Sequence, residues 1–104
     1  MLAGTSKAHR VTTSQFSVSA YCPCKICCGK WAGGPTKSGR MPKAGVTIAA
    51  PRSIELGTWL HIAGLGKRRV DDRLAPEYDH RIDVFFSKHQ DAVQFGIQTL
   101  TVTQ

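Results

Sequence analysis

The run Arg81-Ile82-Asp83-Val84-Phe85-Phe86 decides how this chain is read. Ile82, Val84 and Phe86 alternate with Arg81, Asp83 and Phe85, the period of two that sends successive side chains to opposite faces of a β-strand. Asp83 is thereby set on the face opposite the apolar row, beside Phe85.

Working outward, Ser87 begins a short helix: Ser87 and Gln90 have capping-box spacing, Ala92, Val93 and Phe95 follow at helical intervals, and Gly96 suits the exit. Thr99-Leu100-Thr101-Val102-Thr103 alternates again as a final strand. On the N-terminal side, a loop from Asp72 to His80 leads back to a strand over Lys67 to Asp71, entered by a hairpin turn at Gly64-Leu65-Gly66. Thr58 to Ala63 and Val46 to Ala50 read as two further short strands, and Phe16 to Tyr21 as another, with Phe16, Val18 and Ala20 on one face. Five or six short strands with one small helix, and no repeat or linker, predict a compact, mainly β barrel. Residues 1–15 are expected to be a flexible lead-in and 16–104 a single domain, the size at which one core suffices.

The chain has 104 residues, 41% hydrophobic and 20% charged, with no apolar run near the roughly 18 residues of a membrane span. No export signal is visible in residues 1–15. The net charge of +7 is unevenly placed: eight Lys or Arg and no acidic residue up to Ile54, then six basic and seven acidic residues from Glu55. Carboxylate chemistry must therefore come from the second half. The basic first half favours polyanionic partners, but no aromatic platform or nucleic-acid motif accompanies it, and nucleic acid is not the expected partner.

All four cysteines fall in Cys22-Pro23-Cys24-Lys25-Ile26-Cys27-Cys28. Two local disulfides are the first reading, with three possible pairings, and a thiolate metal site is the rival. Gly29 to Gly45 holds five glycines and two prolines around Trp31, Thr36 and Ser38, a long irregular connection suited to binding. Trp59, inside an apolar strand, is expected in the core. His61 and His89 are expected to be structural histidines, and His9 and His80 to lie at the surface.

Together, Ala20-Tyr21-Cys22-Pro23-Cys24-Lys25-Ile26-Cys27-Cys28-Gly29-Lys30-Trp31, Thr36-Lys37-Ser38-Gly39, Ile54-Glu55-Leu56-Gly57-Thr58, and Asp72 with Asp83 eleven residues on resemble the bacterial three-aspartate (3D) domain. That family is similar to the C-terminal domain of membrane-bound lytic transglycosylase A, within the barwin and expansin group. The resemblance implies a six-stranded double-psi β-barrel with one short helix that cleaves peptidoglycan glycan strands in the cell envelope or outside the cell, as a monomer without a cofactor. It implies Asp83 as catalytic acid and base and Asp72 as its companion. The family's first aspartate falls at Ala50, and the usual glycine-rich loop is replaced by Arg73-Leu74-Ala75-Pro76-Glu77-Tyr78-Asp79-His80.

Glycosidic cleavage needs a proton on the leaving oxygen, hence a carboxylic acid kept protonated by burial or a like charge. Asp83 fits that need. Tyr21, Thr36 and Ser38 are expected to bond sugar hydroxyls and Trp31 to stack on a ring, with Asp79 grouped among the binding residues as the one extra acid that could partly stand in for the absent aspartate. A non-catalytic wall-binding module and an inverting hydrolase with a second carboxylate as base remain alternatives. The bland alternative for Asp72 and Asp83 is ion pairing with Arg69, Arg73 or Arg81.

Overall fold

A computed structural model describes residues 11–24 and 28–104, with Trp31 through its backbone alone. Six strands close into the expected barrel: β1 (Thr13–Tyr21), β2 (Thr47–Ala49), β3 (Trp59–Ile62), β4 (Gly66–Asp72), β5 (Ile82–Phe85) and β6 (Gln98–Thr103), in the spatial order β1-β5-β2-β4-β3-β6. The pairs β1–β5 and β2–β4 are parallel and the other four antiparallel, so chain neighbours are mostly not sheet neighbours. This interleaving is the architecture expected of the double-psi class.

Every strand sends at least one side chain into the core: Val18, Ile48, Leu60, Ile62, Val70, Ile82, Val84 and Val102 form one buried cluster together with Ala50. Each large aliphatic group buried there contributes about 1.5–3 kcal/mol. The alternation read along β5 holds, with Ile82 and Val84 buried and Asp83 on the other face.

Three local readings are corrected. β1 begins at Thr13, because Thr13, Ser14 and Gln15 pair with Thr103, Val102 and Thr101 of β6; the barrel therefore takes up the end of the expected lead-in. Trp59 is 50% exposed, since Leu60 and Ile62 set the phase of β3 and turn Trp59 and His61 outward. The Arg69 guanidinium lies over the Trp59 ring, 5.5 Å from its centroid. The helix α1 (His89–Phe95) has Lys88 in extended conformation at its N-cap with no side-chain cap, so Ser87 and Gln90 form no capping box. Of its apolar residues Ala92 is buried and Val93 faces solvent, while Gly96 ends it with φ +66°, a conformation that suits glycine.

Among the described residues no helix is long and apolar enough to cross a membrane.

Candidate functional site

The site is built on a row that runs across four strands. Ser19 of β1 is in register with Asp83 of β5, Asp83 with Ala49 of β2, and Ala49 with Asp72 of β4. Residues in register across a sheet point to the same face. Two carboxylates therefore share one face with a single methyl group between them. Two inter-strand spacings separate their Cα atoms by up to roughly 10 Å.

Asp72 reaches this row through a β-bulge. Ile48 pairs with Val70 but Ala49 pairs with Asp72, leaving Asp71 as an extra residue in β4. Unbroken pairing would set Asp71 opposite Ala49 instead. Asp71 is fully buried, and Arg69 Nε donates to both its oxygens at 3.0 and 2.8 Å while Arg40 Nη1 donates at 3.3 Å. The structural ion pairs considered for Asp72 and Asp83 thus belong to their neighbour. Neither of the two row aspartates makes a salt bridge among the described residues.

Three donors converge on Asp72: the Tyr21 hydroxyl at 3.3 Å, the Lys37 backbone N–H at 3.2 Å and the Arg73 backbone N–H at 2.9 Å. Asp83 accepts from the Ser19 hydroxyl at 3.1 Å. Burial pushes the Asp83 carboxyl up to about 6; the Asp72 charge adds to the rise, and the Ser19 hydrogen bond and Arg81 oppose it. Burial and the charges of both aspartates drive the Tyr21 hydroxyl far above its ordinary range, so it stays a proton donor. Its ring stands edge-on to Phe85, with centroids 5.3 Å apart.

A groove of about 920 Å³ opens over the row, walled by Tyr21, Thr36 and Lys37 on one side and by Arg73 to Pro76, Tyr78 and Arg81 on the other. Its floor holds Ser19, Ala49, Asp72 and Asp83, and Arg52 joins Lys37, Arg73 and Arg81 to give it cationic walls. The volume suits a few sugar rings or a comparable ligand. The segment without glycines keeps its shape by a 3-10 turn at Pro76–Tyr78 and by Arg73 Nη1, which donates to the carbonyls of Ala50 and Pro51 at 3.0 and 2.8 Å.

The expected binding residues divide. Tyr21 and Thr36 line the groove. Ser38 does not; its hydroxyl lies 2.8 Å from that of Thr36 and accepts from the Arg40 N–H, bracing the turn whose Ser38 N–H holds the Asp71 carbonyl at 2.9 Å. Asp79 stays outside too, accepting from the Arg52 backbone N–H at 3.1 Å and its Nη1 at 2.8 Å. Ala50 packs in the core cluster rather than on the groove. The expectation for Trp31 concerns a side chain outside the described residues.

Sequence reasoning missed Ser19 and Ala49, whose roles come from cross-strand register, and Arg52, Arg73 and Tyr78, placed by the loop. It also missed a meeting at the barrel's end: His89 Nδ1 lies 3.5 Å from Cys22 Sγ and 3.3 Å from Cys24 Sγ, and the two sulfurs are 3.0 Å apart. No disulfide joins Cys22, Cys24 and Cys28 to one another, and Cys27 lies outside the described residues. The Cys28 thiol donates to the Cys22 carbonyl at 3.0 Å, and burial pushes its pKa up.

No family model matches the chain. Over 98 residues, 94% of its length, it is 29% identical to a Bacillus subtilis (strain 168) protein named "Putative cell wall shaping protein YabE". The chain spans about a quarter of that relative's length, 23%. The similarity therefore covers nearly the whole of this chain and a minor part of the longer protein.

Proposed function

We propose that this barrel cleaves the glycan strands of bacterial cell-wall peptidoglycan as a lytic transglycosylase in the cell envelope, with Asp83 as acid and then base. The observation that carries the reading is Asp83 itself: a carboxyl group held up to about 6 by burial, on the floor of a groove of about 920 Å³. The likeness to a protein named for cell-wall shaping supports the choice of polymer. So do the cationic walls, since peptidoglycan carries carboxylates on its lactyl and peptide groups.

The chemistry needs one titrating group. Protonated Asp83 gives its proton to the bridging oxygen, the glycosidic bond breaks, and positive charge spreads over the anomeric carbon and ring oxygen. The Asp83 carboxylate then takes the proton from the muramyl C6 hydroxyl as that oxygen closes on the anomeric carbon. The 1,6-anhydro end forms without consuming water and Asp83 is again protonated.

Asp72 is the positioning partner. Its oxygens already accept from Tyr21, Lys37 and Arg73, which ties both walls to the row and suits it less to activating a water. Its charge lies close enough to raise the Asp83 pKa. Ala49 between them leaves open the space where a sugar sits.

Incubating the purified protein with peptidoglycan and examining the soluble products by mass spectrometry tests the proposal. Anhydro-muropeptides from the native chain and none from Asp83→Asn are expected. Products heavier by one water identify a hydrolase, and retention on the insoluble wall without release identifies a binding module; either overturns the transglycosylase reading.

A further inference from the structure

The parallel register of β1 and β5 ends at Tyr21 opposite Phe85, so the two strands leave the same end of the barrel together. The Phe86 N–H still bonds the Tyr21 carbonyl at 2.8 Å, and the chain then passes on one side into Cys22-Pro23-Cys24 and on the other into Ser87-Lys88-His89. Topology thus delivers two sulfurs and an imidazole, 65 or more residues apart in sequence, to one spot. Helix α1, which begins at His89, packs against β1.

We propose that Cys22, Cys24 and His89 form a binding site for one divalent ion of soft or borderline character, zinc by its donor set, which fastens α1 to the end of β1. Nothing in the glycan chemistry uses these residues, so the site is independent of the function proposed above.

The geometry carries it. The donor atoms Cys22 Sγ, Cys24 Sγ and His89 Nδ1 form a triangle with sides of 3.0, 3.3 and 3.5 Å. A tetrahedral zinc ion, with bonds of about 2.3 Å to sulfur and about 2.0–2.1 Å to nitrogen, holds its donors roughly 3.6–3.8 Å apart. Opening each side by less than about 1 Å brings the trio to those spacings, with the fourth position left to a donor outside it. Cys22 is fully buried and Cys24 and His89 half-buried, so the ion would be largely shielded from solvent.

The donor chemistry agrees with the geometry. Two thiolates and a neutral imidazole cancel the charge of a divalent ion, and binding releases the two thiol protons. Sulfur and imidazole select zinc over magnesium or calcium, which take oxygen ligands. A disulfide between Cys22 and Cys24 would close a ring across a single proline and give the imidazole no role.

The wild-type chain is purified under reducing conditions, and its metal is measured by mass spectrometry and by titration of the stripped protein with cobalt(II) and zinc(II). One ion per chain is expected, with the sulfur-to-cobalt charge-transfer absorption of a thiolate site. Cys24→Ser and His89→Ala should each weaken zinc binding at least tenfold; His61→Ala and Asp83→Asn should leave it unchanged. If those ligand variants do not fold, chelator should lower the wild-type melting temperature and added zinc restore it. Absence of stoichiometric metal, undiminished affinity in both ligand variants, or a Cys22 or Cys24 disulfide that persists when zinc is supplied would each overturn the site.

Discussion

Asp72 and Asp83 face each other across Ala49, each its register partner from opposite sides of β2. The two carboxylates differ in their surroundings. Asp72 sits among three donors, and Asp83 has one hydroxyl and is raised by burial. One scaffold thereby holds a carboxylate anchored by three donors and a carboxyl raised by burial with a single strand between them.

Cleavage should fall as pH rises through about 6, the value to which Asp83 is pushed, losing about tenfold per pH unit above it as the acid form is depleted. A profile of anhydro-product formation between pH 4 and 8 checks this. A rate that climbs through that range would exclude Asp83 as the acid.

The same shift has a consequence for stability. Because the folded-state pKa of Asp83 is raised, its contribution is fully present below the unfolded value near 4 and is lost as pH rises through about 6. Asp83→Asn removes a group that cannot ionise cheaply in place. The variant should be more stable than the native chain by on the order of 2 kcal/mol at pH 7–8 and about equal to it near pH 4, as read by urea unfolding at both.

Tyr21→Phe deletes the hydroxyl that donates to Asp72 and keeps the ring edge-on to Phe85. Stability should change by about 1 kcal/mol, and activity should drop about tenfold as the Asp72 carboxylate loses one of its anchors. Paired kinetic and melting measurements separate the two effects.

Ala49→Val inserts two methyl groups between the aspartates, in a strand where a β-branched residue is accommodated. Overpacking should cost about 1–3 kcal/mol, and glycan cleavage should fall at least about tenfold because the sugar is displaced from Asp83. Circular dichroism and product assays on one preparation check both.

Arg69→Met leaves the buried Asp71 carboxylate to Arg40 alone, whose side chain is 56% exposed. Unfolding free energy should drop by about 2–4 kcal/mol, and adding Asp71→Asn should recover much of it, since the penalty lies in the stranded charge. Denaturant titrations of the single and double variants measure the coupling.

The barrel was legible in the sequence because its strands are short, alternating and punctuated by turns; Ile82, Val84 and Asp83 lie as their alternation predicts. Trp59 failed because an apolar stretch does not say which of its faces is inside. The Ser87 and Gln90 pattern failed because the chain stays extended through Lys88 before turning helical. Asp72 and Asp83 were identified through their resemblance to a family. That Ala49 lies between them, that Ser19 touches one, and that His89 meets two cysteines all depend on register between segments distant in sequence, and no local pattern encodes it.

The unpaired residue in β4 makes two adjacent, chemically identical side chains unequal: one is locked away beneath guanidinium groups and its neighbour lines the groove. Deleting the extra residue would straighten the ladder and leave one aspartate where there are two: the remaining acid would still stand opposite Ala49, and the buried partner of Arg69 and Arg40 would be lost. Chain length in that strand, counted residue by residue, accordingly decides whether the barrel has one acid or two here, one at the groove and one beneath it.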